Sequence, residues 1–191
     1  MLQLDKELLI FLNRLGSPTF DGLWLIITKQ AYWTPIFLLV FYLLQKKLGW
    51  KNFGYYILFT ALLIVLCDQT SNLFKGYFHR LRPCNDESIN HIIRVVKTSP
   101  SFSFFSGHAA NSMATAVFAF MIMKKYYKFS YLLFLFPLIF AYSRIYLGLH
   151  FPSDIVTGYV FGATYGFICY KLYRKYILKT RVRVKQSIHH E

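Results

Sequence analysis

The chain has 191 residues, 55% of them apolar and 20% aromatic, with only 16% charged. Its length suits one domain, and so oily a composition excludes an ordinary soluble one. The net charge of +14 does not point to nucleic acid, because the cations form no patch interleaved with stacking aromatics on a soluble face.

Residues 1–21 read as a short N-terminal interfacial helix and turn. Asp5, Lys6, Glu7 and Arg14 surround a small apolar face, and Gly16-Ser17-Pro18 ends it. The stretch lacks the basic start, long apolar run and small-residue site of a cleaved signal peptide. Apolar runs follow at roughly 22–44, 53–74, 104–123, 129–149 and 155–176, each near the ~20 residues that cross ~30 Å of hydrocarbon. The predicted fold class is therefore all-α, a polytopic transmembrane helical bundle of five to six spans in one integral-membrane domain. Lys29, Gln30 and Pro35 interrupt the first run.

Cations set the topology. Lys46, Lys47 and Lys51 fall between the first two runs, Lys124, Lys125 and Lys128 between the third and fourth, and residues 171–185 hold seven more. If the chain alternates, these share one side, which the positive-inside rule makes cytoplasmic, together with a basic tail at 177–191. The 75–103 loop and the 145–153 turn then face outward.

Polar residues inside the oily runs carry the functional signal. The second run ends in Asp68-Gln69-Thr70-Ser71-Asn72, and an acid at that depth must be paired or hydrated. It is expected either to orient a cation of a nearby site or to cap the helix at the interface. The 75–103 connection is long, as functional loops are, and residues 88–97 have the pattern of a short amphipathic helix lying on the membrane, a lid or lipid-entry wall. In Ser106-Gly107-His108 the serine is a good N-cap and the glycine lets an anion approach the free N–H groups of the helix end. His108 falls in the first turn. Gly158, Gly162 and Gly166, spaced by four, and Ala110 and Ala114 predict close helix packing. Cys67, Cys84 and Cys169 show no metal or redox spacing, and His79, His91, His189 and His190 have no partner at ligand spacing.

The densest polar group is Ser143-Arg144-x5-His150-x3-Asp154. A carboxylate four residues after an imidazole can hold one tautomer and leave the Nε2 lone pair free to attack. Arg144 adds a planar fork for phosphate or carboxylate. Alone, Asp154 reads equally well as the first-turn acid of a helix.

Taken in order, Lys75-x6-Arg82-Pro83, Ser106-Gly107-His108 and Arg144-x5-His150-x3-Asp154 resemble the three-part signature of the type 2 phosphatidic acid phosphatase superfamily. One departure is Phe105, where the family usually has proline before the serine; proline is expected to be tolerated there. The resemblance implies that His150 attacks phosphorus, that Asp154 holds its tautomer, and that His108 protonates the leaving group and then activates water. Lys75, Arg82, Ser106, Gly107 and Arg144 would bind the phosphate oxygens, and Arg80 is an auxiliary candidate. No metal or cofactor is implied.

The expectation is a bacterial inner-membrane enzyme with its active site on the outer face. It would hydrolyse a lipid phosphomonoester or diphosphate whose tails stay in the bilayer. Undecaprenyl diphosphate is the favoured substrate, with lipid A and phosphatidylglycerophosphate as alternatives. A lipid phosphotransferase and a non-catalytic lipid carrier are the readings from other classes, and no obligate protein partner is evident.

Overall fold

The computed structural model describes residues 2–188, with side chains over 3–177, so His189, His190 and the end of the basic tail lie outside the described residues. Among the described residues all regular structure is helical. The helices are α1 (Leu2–Arg14), α2 (Pro18–Ile27), α3 (Thr34–Phe78), α4 (Gly107–Met123), α5 (Leu135–Tyr146) and α6 (Pro152–Ile188), with short 3-10 turns at Gln30–Trp33, Pro83–Asn85 and Ser130–Phe134.

The unit α3 is two helices joined at Gly49, whose φ of 73° lies in a region where glycine alone is comfortable. In a continuous helix Phe41 and Tyr56 would stand about 22 Å apart at 1.5 Å per residue. Their ring centroids are instead 6.2 Å apart, so the chain folds back at Gly49. This places Lys46, Lys47 and Lys51 at a bend. Tyr127, from the α4–α5 connection, donates to the Leu43 carbonyl, and Lys47 lies over its ring. The lysines between α4 and α5 therefore lie at the same end of the bundle as that bend.

Helix α4 is the hub, packed chiefly on α6 and also on α3 and α5. Its contact with α6 depends on missing side chains. A Cβ at Gly158 would lie 2.7 Å from the Ser106 carbonyl oxygen, and one at Gly162 would strike the Ala110 carbonyl. The backbones thus approach along the small-residue face expected from the sequence.

The first predicted span is not continuous. Helix α2 stops at Ile27, and residues 28–33 form a turn before α3 begins with Pro35 in its first turn. Thr28 is buried there, and the Trp33 indole donates to the Ile27 carbonyl. By length and composition, the stretch Gln30–Asn85 is long and apolar enough to cross a bilayer; Pro18–Ile27, Gly107–Met123 and Ser130–Tyr146 are shorter apolar helices. Helix lengths thus establish the helical class, and not the count of five to six.

The N-terminal helix points two of its polar residues, Asp5 and Asn13, inward. Asp5, Leu9 and Asn13, spaced by four on one face, are 8%, 0% and 0% exposed, while Leu4, Leu8, Phe11 and Leu15 face out. Asn13 donates to the carbonyls of Arg94, Ile145 and Tyr146 and accepts from the Arg94 N–H. Arg94 also grips Asp21 through both carboxylate oxygens at 2.7 and 2.9 Å. Helices α1 and α2 are thereby clamped over the end of α5.

The same bonds explain why residues 88–97 do not form the expected amphipathic helix. Only turns appear between Asp86 and Ile93, and the chain beyond is held by Asn13 and by the Lys97 N–H donating to the Leu147 carbonyl. Long-range partners have captured the backbone groups that a helix would have paired with each other.

Candidate active site

His150 lies in the turn between α5 and α6 and is 1% exposed. Its Nδ1–H donates to Asp154 Oδ2 at 3.3 Å, and that oxygen also accepts the Phe151 N–H at 3.0 Å. On the other side of the ring, Arg82 Nη1 donates to Nε2 at 2.9 Å. With a carboxylate facing one nitrogen and a guanidinium facing the other, the proton belongs on Nδ1 and the lone pair on Nε2. Burial, followed by the charges of Arg82, Arg144 and Lys75, holds the imidazole pKa well below its usual 6.5. The ring is neutral at neutral pH, as a nitrogen nucleophile must be.

Arg82 is itself fixed at three further points: Nε donates to the Ser101 carbonyl at 2.7 Å, Nη2 to Ser101 Oγ at 2.8 Å and Nη1 to the Leu149 carbonyl at 2.9 Å. Arg144 donates through Nη1 to Thr28 Oγ1 at 2.7 Å, and among the described residues its buried Nε has no hydrogen-bond partner. A buried unpaired donor is costly unless a ligand completes it. Thr28, from the turn after α2, is thus part of the site's support.

Ser106 caps α4, accepting from the Ala109 N–H, and its own N–H donates to the Asp154 carbonyl at 3.1 Å. This bond ties the start of α4 to the start of α6. His108 stacks on Phe140 with centroids 5.3 Å apart. Lys75, Gly107 and His108 line one end of a cavity of about 1260 Å³ whose far end reaches Tyr126 and Lys128. Ile36, Leu39, Phe136 and Ile139 give that cavity an apolar wall; Thr60, Asp68, Asn72 and Asn111 lie along it as a polar strip.

The eight residues singled out in the sequence therefore gather at one end of the bundle, opposite the lysine-rich bends. Two neighbouring expectations change. Among the described residues Asp68 forms no ion pair; it accepts from Asn111 Nδ2 at 2.6 Å and acts on Lys75 only through its charge. Arg80 is not directed at a phosphate site, because its guanidinium is engaged by Asp5, Ser153 and Asp154 and lies over the Phe151 ring. Asp5, Ser101 and Thr28 were not found in the sequence. The available signal for Asp5 was scarcity, since the chain has only eight acids and a buried one requires a partner.

Phe105 is more than a substitute for proline. Fully buried, it stacks on Phe161 at 4.8 Å and 9° and meets Phe74 at 5.2 Å, while its carbonyl accepts from Ser71 Oγ. Proline would empty a filled aromatic cluster under the α4 cap, a loss of about 3 kcal/mol by analogy with large-to-small core changes. The structure thus gives no support to a tolerated Phe105→Pro.

Among the described residues no three His, Cys, Asp or Glu side chains gather as a metal site. Cys67, Cys84 and Cys169 are free and buried.

Comparison with known proteins gives a consistent result. The sequence profile of the PAP2 superfamily matches residues 49–178. A lipid A 4′-phosphatase of Bacteroides thetaiotaomicron is 34% identical over 90% of this chain and 78% of its own length. One of Porphyromonas gingivalis is 27% identical over 91% and 74%. An undecaprenyl-diphosphatase of Sulfolobus acidocaldarius is 24% identical over 86% and 76%. Among solved structures, a transmembrane PAP2-type phosphatidylglycerolphosphate phosphatase from Bacillus subtilis superposes with a TM-score of 0.70 at 18% identity, covering 91% of this chain and 86% of that one.

Proposed function

The chain belongs to the PAP2 superfamily and is a membrane lipid phosphatase, and from that premise we propose that it removes the 4′-phosphate of lipid A through a phosphohistidine on His150. The observation that carries the chemistry is the placement of buried His150 between Asp154 on Nδ1 and Arg82 on Nε2. The substrate follows the two relatives named for lipid A, which are more similar to this chain than the one named for undecaprenyl diphosphate. The favoured substrate of the sequence reading is thereby displaced to second place. A glucosamine disaccharide also gives the Asp68–Asn111 pair hydroxyl and amide groups to bind, which a polyprenyl chain does not.

The phosphate enters among Lys75, Arg82, Arg144 and the N-terminus of α4, where Ser106 and Gly107 lie. Arg82 exchanges its bond to Nε2 for one to a phosphate oxygen, which releases the lone pair. Nε2 bonds to phosphorus as the bond to the sugar oxygen breaks, and His108, which takes up a proton when the phosphate dianion offsets the cations around it, passes that proton from its imidazolium to the oxygen. Asp154 stabilises the imidazolium, and the cations neutralise the equatorial oxygens. His108, now deprotonated, removes a proton from water as the water oxygen attacks phosphorus. The P–N bond breaks and inorganic phosphate leaves.

The lipid tails would occupy the apolar wall of the cavity. The catalytic end would face outward from a bacterial inner membrane, with the lysine bends cytoplasmic, because Lys46, Lys47 and Lys51 and the lysines between α4 and α5 lie at the opposite end of the bundle. The outward apolar face of α1, Leu4, Leu8 and Phe11, with Leu15 just beyond it, would lie in the interface.

The test is phosphate release by protein purified in detergent, with lipid A and undecaprenyl diphosphate supplied separately and His150→Ala as the blank. Release from lipid A with loss of the 4′-phosphate by mass spectrometry, absent in the variant, is the expected result. Release from undecaprenyl diphosphate alone would overturn the substrate, and release by His150→Ala would overturn the mechanism.

A further inference from the structure

We propose that Arg80 and Asp5 are positioning residues for the reaction, holding the carboxylate of Asp154 from behind so that its other oxygen addresses His150. The inference rests on the reading of Asp154 as the partner of the nucleophile. A carboxylate on one imidazole nitrogen fixes the ring only if it cannot itself rotate. Asp154 Oδ2 is turned toward His150 and the Phe151 N–H, and Arg80 Nη1 donates to Oδ1 at 2.8 Å. The two oxygens thus have separate tasks.

Arg80 is immobilised in turn. Nη2 donates to Asp5 Oδ2 at 2.5 Å, Nη1 also donates to Ser153 Oγ at 2.7 Å, and the guanidinium carbon Cζ sits 3.8 Å from the Phe151 ring centroid. Asp5 closes the arrangement by accepting from the Ser153 N–H at 2.9 Å and from the Ser153 hydroxyl. It therefore also occupies the N-terminus of α6, where negative charge is favoured. Asp5 is 8% exposed and Asp154 fully buried. Two buried acids sharing one guanidinium keep that cation from serving a substrate, so Arg80 acts on the reaction only through Asp154. The interfacial helix α1 is by this route part of the catalytic apparatus.

The test compares Arg80→Ala, Arg80→Lys and Asp5→Asn with Asp154→Asn and the double variant Arg80→Ala/Asp154→Asn. A positioning role predicts that Arg80→Ala lowers kcat about a hundredfold and Asp5→Asn about tenfold, in line with losses of orienting groups elsewhere. KM and the inhibition constant of inorganic phosphate should change less than about twofold, because no phosphate contact is removed. Arg80→Lys, which keeps a donor toward Oδ1, should recover part of the lost kcat. In the double variant, loss of Arg80 should add nothing to the loss from Asp154→Asn. Additive losses, or weaker phosphate inhibition in Arg80→Ala, would overturn the proposal. If Arg80→Ala does not fold, Arg80→Lys and Asp5→Asn decide it by the same cycle. Full activity of Asp154→Asn would sink the underlying reading instead, and normal kcat in Arg80→Ala beside a crippled Asp154→Asn would sink this inference alone.

Discussion

Around His150 the polar groups are bonded to one another: Asp154 to the ring, Arg80 to Asp154, Asp5 to Arg80, and on the Nε2 side Arg82, which keeps its bonds to Leu149 and Ser101 when it gives up the one to the ring. In front of it, Lys75, Gly107 and His108 face a cavity of about 1260 Å³. One half of the site is finished before substrate arrives, and the other is completed by it. Preorganisation belongs where charge will develop on the nucleophile, since groups already in place need no rearrangement at the moment of reaction. The open half can then trade polar surface for phosphate and sugar.

The largest expected contrast between the two halves comes from removing one cation from each. Arg82→Ala and Lys75→Ala should each lower kcat/KM by about a hundredfold or more, as loss of a transition-state donor does. Only Arg82→Ala should also lower the melting temperature in detergent. It strips donors from His150, the Leu149 carbonyl and Ser101, buried groups worth about 1–3 kcal/mol each when left unpaired. Equal thermal losses would show that Lys75 is structural too, and the comparison of closed and open halves would fail.

Asp68→Ala sharpens the same contrast on the open side. The residue accepts from Asn111 within the cavity lining and takes no part in the chemistry. Turnover of lipid A should fall about tenfold while that of undecaprenyl diphosphate is unchanged, because only the sugar loses a hydrogen-bond partner. A parallel loss on both substrates, measured as kcat/KM in the same detergent, would remove the head-group role.

Much of the closed half was unreadable from sequence for a physical reason. Lys75, Arg82, Ser106, His108, Arg144, His150 and Asp154 stand at spacings set by local geometry, a helix end, a turn or an i,i+4 pair, so their pattern survives in one dimension. Asp5 meets Arg80 across 75 positions and Thr28 meets Arg144 across 116, and nothing local marks either. The helix expected over 88–97 failed for the same cause, its backbone being claimed by Asn13 and Leu147. The helical class, by contrast, was legible because apolar run length is an additive property. The break at 28–33 was signalled by Lys29, Gln30 and Pro35, yet its buried Thr28 could not be anticipated.

A smaller effect concerns pH. His150 has its pKa held well below 6.5 by burial and by Arg82, Arg144 and Lys75. A lowered value keeps the ring deprotonated further into acid, so the loss of kcat/KM from protonating the nucleophile should begin below pH 6.5 rather than at it. Lys75→Ala removes one of the charges responsible and should move that acid limb toward higher pH. A limb that stays in place would mean that burial and the two arginines alone set the value.

The smallest expected effect is none. Excess EDTA should leave the rate of the purified enzyme unchanged, and added Mg²⁺ should not raise it. The argument is one of charge: in the proposed mechanism Lys75, Arg82 and Arg144 would supply the neutralisation that a divalent ion gives elsewhere, and would repel such an ion from the proposed phosphate position. Of the acids close by, Asp154 has its oxygens committed to His150, Phe151 and Arg80, and Asp5 is committed to Arg80 and Ser153. Neither is free to join the oxygen cage that Mg²⁺ requires. Loss of activity in EDTA with recovery on Mg²⁺ would require an ion bridging substrate phosphate and Asp68, the acid that lines the cavity. In that case the open half would be completed by a cation as well as by the lipid.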